Sequence, residues 1–297
     1  MSRASSGLVE RGVPLSRLTT IGTGGPAAAF ARPRTLAELE EALRFARANE
    51  LEVVVLGLGS NVLAADPGVD ALVLRLTGDL ARVEVRGERL VAGGGAANAV
   101  CLHAARRAEL GGLEFACAIP GTAGGGVRMN AGAYGREWAD VLEGALVVSA
   151  DGAEWRSPAE LGLAYRTSAL RPGEVVASVE YRLEPRPEAE IKATVAELVA
   201  ARKATQPTSA RTFGSVFKNP PGELGAGRIL DLCGLKGYRH GGAVVSPKHA
   251  NFIENAGGAT SADCVWLMRE ARRRAREQFG VELEQEVVFV GELTLES

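Results

Sequence analysis

Apolar and polar positions alternate along this chain in short runs whose period switches between that of strands and that of helices. Thr35-x-x-Glu38 forms a capping box ahead of Leu39, Leu43 and Ala46 at helical spacing, which predicts a helix start there. Residues 51–56 are a β-branched apolar run of the kind a buried strand needs, ending in Gly57-Leu58-Gly59-Ser60-Asn61. A second α/β portion is predicted from Ala71, with short alternating strands at 81–85 and 89–92 and an alanine-rich helix over 96–110. Further strands are expected at 145–149 and 174–183. Glu184-Pro185-Arg186-Pro187-Glu188 interrupts the pattern and is the best domain boundary. Beyond it, Ile191, Val195, Leu198 and Val199 make the apolar stripe of a helix that Pro207 ends. Cys264, Met268, Ala271, Ala275 and Phe279 make another, opened by Thr260 or Ser261. Arg272-Arg273-Arg274 on that helix reads as a solvated face paired with Glu270 and Glu277.

Residues 119–135 fit neither period. They pack six glycines and three alanines into seventeen positions. Glycine loses more conformational freedom on folding than other residues, so a dense run implies a backbone that must approach something flat or anionic. Ile119, Met129 and Tyr134 are wrong for a solvated linker, and the run reads as a ligand bed.

Composition narrows the classes of partner. The 297 residues suffice for two domains, and 46% apolar with 24% charged residues is the make-up of an ordinary globular protein. A net charge of −2 and 5% aromatics argue against nucleic acid as a partner. The N-terminus lacks an apolar signal core, and no apolar run approaches the ~18 residues of a membrane span, so a cytoplasmic chain without membrane insertion is expected. Cys101, Cys117, Cys233 and Cys264 are widely spaced and read as free thiols of a reducing compartment, with no metal site. The five lysines all lie at or beyond Lys192; Lys218, Lys236 and Lys248 stand in loop-like sequence and suit an anionic substrate.

No G-x-G-x-x-G, Walker loop, G-x-S-x-G or H-E-x-x-H occurs, which disfavours a Rossmann or P-loop domain and the common hydrolases. Four constellations remain: Gly57 to Asn61, the glycine bed, Tyr165-Arg166-Thr167-Ser168, and Thr212-Phe213-Gly214-Ser215-Val216-Phe217-Lys218-Asn219-Pro220. On residues alone, Tyr165-Arg166 reads equally as a surface strand end and Ser215 as a buried turn serine.

Taken in order, these segments resemble the MurB-type UDP-N-acetylenolpyruvoylglucosamine reductases, flavoenzymes of peptidoglycan precursor synthesis. The resemblance runs through Thr19 to Gly25, Gly57 to Asn61, Gly112 to Gly135, Tyr165-Arg166, Gly214 to Pro220, Gly234-Leu235-Lys236-Gly237, Ser246 to Asn255 and Leu283 to Gly291. It implies an α+β protein: a vanillyl-alcohol-oxidase/PCMH-type FAD-binding domain of two α/β subdomains (1–80 and 81–185) and a C-terminal α/β substrate domain (186–297). FAD would be held noncovalently by Gly57, Gly59, Ser60, Asn61, Pro120, Gly121, Thr122, Gly124, Gly125 and Asn130. NADPH would be the co-substrate, and a monomer is expected.

The reaction implied is reduction of the enolpyruvyl ether of UDP-N-acetylglucosamine to UDP-N-acetylmuramate, with hydride passing from reduced flavin to C3 and a proton to C2. Arg166 would grip the substrate carboxylate, Ser215 would supply the proton, and Glu286 would orient or polarise the carboxylate. Lys218, Asn219, Lys236 and Lys248 are candidate substrate contacts. No tyrosine occurs between Tyr181 and Tyr238, which suggests the short form of the family, without the tyrosine-bearing insertion that closes over substrate. A flavin-dependent oxidase of a small alcohol or lactone, and a catalytically silent nucleotide-sugar binder, are the competing readings.

Overall fold

Strand Leu142–Ser149 is apolar on both faces, and the computed structural model of the chain, which describes residues 7–296, shows why. It lies second in a five-stranded antiparallel sheet ordered Gly152–Arg156, Leu142–Ser149, Val175–Arg182, Arg89–Gly93 and Val83–Arg86. Ala145 and Val147 join one core with Val176, Val179 and Tyr181, while Leu146 and Val148 join another with Val175 and Ala177. A sheet covered on both faces needs apolar residues at consecutive positions, which is why period-two alternation is weak here.

The chain packs as two units, one of residues 7–11, 29–58 and 71–201, the other of residues 12–28, 59–70 and 202–296. In the first, helix α1 (Leu36–Ala48) buries Leu39, Ala42, Leu43 and Ala46. Thr35 Oγ1 accepts from Glu38 N at 3.3 Å, but the Glu38 carboxylate accepts from Arg34 N at 2.7 Å, one residue earlier than a full capping box requires. Strand Glu52–Val55 runs parallel to residues 71–74, with Glu52 opposite Ala71 and Val55 opposite Leu74. The other core of this unit lies between the antiparallel sheet and helices α2 (Asn98–Arg107) and α3 (Ala123–Arg128). At its centre Trp138 donates from Nε1 to the Tyr181 hydroxyl at 2.6 Å.

One expected strand is revised. The strand placed at 81–85 is Val83–Arg86, because Gly78–Ala81 turns as a 3-10 helix with Asp79 N bonded to Arg34 O at 2.8 Å. The break at Glu184 to Glu188 includes a short edge strand, Glu184–Pro185, paired with Leu110–Gly111; an edge tolerates proline. Packing carries the first unit on to residue 201, within helix α4 (Glu188–Thr205), of which only Ile191 is buried. The division at residues 80 and 185 stays a proposal about which segments serve cofactor and substrate.

The second unit has its own core around an antiparallel sheet ordered Thr212–Ser215, Phe252–Asn255, Ala243–Val245 and Arg239–His240. Helices α5 (Ala226–Leu232) and α6 (Ser261–Phe279) contribute to it. Thr260 and Asp263 form a reciprocal capping box at the start of α6, and Gly280 ends it in the left-handed conformation. Cys264, Met268, Ala271 and Ala275 are buried as expected, whereas Phe279 in the last turn is 37% exposed. Arg273 and Arg274 pair with Glu270, and Arg273 also pairs with Glu277. Strands Val62–Ala64 and Val288–Val290 run parallel, with Val62 opposite Val288.

Candidate active site

The glycine bed is not an extended loop. Thr122 caps α3 by accepting from Gly125 N, and the helix lies on the Gly93-Gly94-Gly95 run through Ala123 N to Ala96 O at 2.8 Å and Gly124 N to Gly94 O at 2.9 Å. A Cβ at Gly124 would stand 3.0 Å from Gly94 O, and one at Gly126 only 2.6 Å from Cε2 of Trp138. Those two glycines permit close packing. Gly125 is exposed, and a Cβ there would meet only Thr122 Oγ1 at 3.4 Å, so it forms the outer surface of the bed. Buried Asn98 fixes the approach, its N–H donating to the Gly121 carbonyl at 3.0 Å and its Nδ2 to Ile119 O at 3.1 Å. Pro120, just before, is exposed.

Beside the bed is a cavity of about 250 Å³ walled by Gly57, Leu58, Thr77, Gly78, Gly94, Gly95 and Thr122 among others. A Cβ at Gly57 would come within 2.7 Å of Thr122 Oγ1. Four of its lining residues are glycines, which bring polar main chain to the wall beside the side chains of Leu56, Arg75 and Leu76, a mixture that suits part of a dinucleotide cofactor. Thr77, Gly78, Gly94 and Gly95 were not singled out in the sequence, although the run Gly93 to Gly95 was a visible signal.

Arg166 stands at the tip of a tight turn closed by paired Ala164 and Thr167 backbone bonds at 3.1 Å, with φ of 55°. Its guanidinium donates to Gly132 O at 2.7 Å and lies 4.9 Å from the Tyr165 ring centroid. Asn130, expected to touch the cofactor, has no exposed surface; its Nδ2 donates to Ala164 O and its Oδ1 accepts from Ala139 N. Nearby, the Arg156 guanidinium grips buried Glu174 at 3.1 and 2.8 Å and holds its carboxyl at about 2, and Arg128 reaches the Glu174 carbonyl while burial lowers its own pKa.

In the second unit three segments that are distant in sequence converge. Glu286 N donates to Val216 O at 2.9 Å, directly after Ser215, and Asn61 Nδ2 donates to Glu286 O at 3.3 Å. Gly214 faces the Ser60 carbonyl closely enough that a Cβ would lie 3.2 Å from it. Gly59, at φ 68°, lies so near the Leu18 carbonyl that no side chain fits, and its own carbonyl accepts from Thr20 N. Ser215 and Glu286 are half-buried, while Glu282 and Glu284 are exposed. Buried Asn251 pairs with both backbone groups of Phe217, at 3.0 and 2.8 Å, and so fixes the strand end that carries Ser215. Sequence reading missed Asn251, because an asparagine in loop-like sequence looks like a turn residue.

The candidate substrate contacts are engaged within the protein. Lys218 pairs with Glu284 at 2.6 Å, Lys236 with Asp231 at 3.0 Å, and Lys248 Nζ donates to the Lys203 carbonyl. Asn219 Oδ1 accepts from Ala226 N at 3.0 Å, at the start of α5.

Residues 27–157 match the family model of an FAD binding domain, and together with the full-length reductase relatives this makes the chain an FAD-dependent oxidoreductase. Residues 206–290 match the model described as the UDP-N-acetylenolpyruvoylglucosamine reductase C-terminal domain. The UDP-N-acetylenolpyruvoylglucosamine reductase 2 of Symbiobacterium thermophilum is 46% identical over 96% of this chain and 93% of its own length. The UDP-N-acetylenolpyruvoylglucosamine reductase of Anaeromyxobacter sp. (strain Fw109-5) is 43% identical over 100% of this chain and 93% of its own length. The crystal structure of the Thermus caldophilus enzyme superimposes with a TM-score of 0.83 at 41% identity, covering 95% of this chain and 98% of that one. The chain belongs to the UDP-N-acetylenolpyruvoylglucosamine reductase family. Among the described residues no helix is long and apolar enough to cross a membrane.

Proposed function

We propose that this protein reduces the enolpyruvyl group of UDP-N-acetylenolpyruvoylglucosamine to yield UDP-N-acetylmuramate for peptidoglycan synthesis. The observation that carries the reading is family membership across nearly the whole chain, extending through both the flavin half and the C-terminal half. FAD, when bound, carries a hydride from NADPH to C3 of the enolpyruvyl group.

The chain's own residues do the rest. The residues that would contact the cofactor are Gly57, Pro120, Gly121, Thr122, Gly124 and Gly125, and, by the family resemblance, Gly59, Ser60 and Asn61. Arg166 clamps the substrate carboxylate with parallel hydrogen bonds and stabilises the charge that spreads onto it from C2. Ser215 delivers its hydroxyl proton to C2; the receiving centre is strongly basic, so transfer from an ordinary alcohol runs downhill. Glu286, with its backbone fixed to Val216, orients that carboxylate or, protonated, donates to it. Lys218, Asn219, Lys236 and Lys248 are the candidates to meet the diphosphate, the sugar or the enolpyruvyl carboxylate, exchanging their present partners for substrate.

Purified protein should carry the yellow flavin spectrum and consume NADPH rapidly only when the enolpyruvyl nucleotide-sugar is present. A colourless protein that cannot be loaded with FAD, or one whose NADPH oxidation ignores that substrate, would overturn the reading.

A further inference from the structure

Three of the five non-glycine residues at positive φ among the described residues are Asn130 at 37°, Tyr134 at 55° and Arg166 at 55°. Two belong to the glycine run and the third is the carboxylate clamp. A side chain in the left-handed region is strained, and the conformation persists only where neighbours over-determine it. For Arg166 the neighbours can be named. Asn130 Nδ2 donates to Ala164 O at 3.1 Å, at one end of the turn. Ser168 Oγ donates to Arg128 O at 2.7 Å, just past the other end. The guanidinium itself donates to Gly132 O at 2.7 Å. The three acceptors and donors in the run, Arg128, Asn130 and Gly132, stand at alternate positions, so the turn is stitched along one short stretch of main chain.

Asn130 is suited to this role and to no contact with a ligand. With 0% exposure it offers no surface, and its amide uses both ends, Nδ2 toward Ala164 and Oδ1 toward Ala139 N at 3.0 Å. An aspartate of the same shape could accept from Ala139 but could not donate to Ala164. Asparagine also tolerates the left-handed backbone better than most residues.

We propose that Asn130 and Ser168 are positioning residues for Arg166. They lock the 164–167 turn onto the end of the glycine run, so that the guanidinium is already in place when the substrate carboxylate arrives. The inference rests on the reading of Arg166 as the carboxylate clamp, and it gives Asn130 a role other than the cofactor contact expected from sequence. Prior placement of a clamp matters because a misplacement of ~1 Å in a catalytic group can cost about 100-fold in rate.

The test uses the FAD-loaded enzyme and follows its two half-reactions separately by rapid mixing, together with substrate affinity by calorimetry on the oxidised enzyme. Ser168→Ala removes one stitch with little risk to folding, and Ser168→Thr keeps the donor. Asn130→Asp removes the other, and Arg166→Ala removes the clamp. Ser168→Ala is expected to slow reoxidation of the flavin by the enolpyruvyl substrate about tenfold and to weaken substrate binding several-fold, with flavin reduction by NADPH within about twofold of wild type. Ser168→Thr should restore both, and Asn130→Asp, if it folds, should resemble Ser168→Ala. Wild-type reoxidation in Ser168→Ala alongside a crippled Arg166→Ala would overturn the positioning role while leaving the clamp intact. Full turnover by Arg166→Ala would overturn the clamp reading itself, and the positioning role with it. Equal slowing of both half-reactions in Ser168→Ala would show general damage to the fold and would also overturn the proposal.

Discussion

Substituting alanine at Gly125 and, separately, at its neighbour Gly126 should produce opposite phenotypes. Both lie within helix α3, and neither has a positive φ, so alanine is sterically allowed by the backbone at each. Helix propensity favours alanine over glycine by about 0.5–1 kcal/mol. At Gly125 nothing opposes that gain, since the new Cβ meets only Thr122 Oγ1 at an ordinary 3.4 Å. At Gly126 the Cβ would lie 2.6 Å from Cε2 of Trp138, well inside the ~3.5–4 Å of a carbon–carbon contact. Trp138 cannot retreat: it is 1% exposed, edge-on to Phe115 at 5.0 Å and hydrogen-bonded to Tyr181. Overpacking of this kind costs roughly 1–3 kcal/mol, which outweighs the propensity gain. Denaturant unfolding of the flavin-free proteins should therefore show Gly126→Ala less stable than wild type and Gly125→Ala equal or slightly more stable. Titration followed by quenching of flavin fluorescence should show the reverse site of damage. In Gly125→Ala the added methyl intrudes on the proposed cofactor surface, and a comparable ~1–3 kcal/mol is expected as roughly a 5- to 150-fold loss of FAD affinity. Unchanged FAD binding by Gly125→Ala would refute the claim that this outward face is the bed, and unchanged stability of Gly126→Ala would refute the close-packing argument.

Ser215→Ala should lower turnover by at least ~10²–10³, with flavin reduction by NADPH nearly intact; a mutant retaining a tenth of wild-type turnover would exclude Ser215 as proton donor. Lys218 is held by Glu284, whose side chain is 72% exposed, so Glu284→Gln should release it and lower KM for the nucleotide-sugar by about two- to fivefold, whereas Lys218→Ala should raise it. Glu174 carries a stability prediction. Hydrogen bonds from Arg156 first, and then from Arg171, lower its carboxyl from 4.5 to about 2 against the opposing effect of burial. Its ionised form therefore contributes roughly 3 kcal/mol that is fully present above about pH 4.5 and lost as pH falls toward 2. Glu174→Gln should lose about that much at pH 7 and should flatten the acid limb of the stability profile; an unchanged limb would show that another carboxylate sets it.

How much of this was legible beforehand follows from which interactions are local. Helix α6 was readable because its signals lie within its own sequence: a Thr260–Asp263 box, a stripe at helical spacing and a glycine stop. Only Phe279 departs, since the last turn has no facing core. Glycine density alone marked residues 119–135 as a proposed ligand surface, but not as containing a helix, because glycine is a poor helix former. Tertiary packing overrides propensity there: only glycine lets α3 lie against Gly94 and Trp138. The supporting asparagines were silent for the same reason. Asn98, Asn130 and Asn251 each satisfy main-chain groups that lie 9 to 34 positions away, and no local pattern announces such pairings.

The motif Gly57 to Asn61 shows most clearly what a linear reading compresses. In sequence it is one glycine-rich strand end, and a single diphosphate contact is its natural interpretation. In the structure the boundary between the packing units falls inside it, after Leu58. Gly57 belongs to the first unit and presses against Thr122 at the head of the glycine bed. Asn61 belongs to the second and bonds Glu286, whose N–H is tied to the residue after Ser215. The parallel pairing of Val62 with Val288 makes that possible, bringing together residues 225 positions apart through two strands of only three residues each. Strands so short leave almost no periodic trace, so this pairing was legible only as two motifs in the family's order. The same five residues must therefore serve both contacts, Gly57 with Thr122 and Asn61 with Glu286. That requirement, together with the close approaches at Gly57 and Gly59, gives a physical reason for glycines at those positions beyond any contact with phosphate.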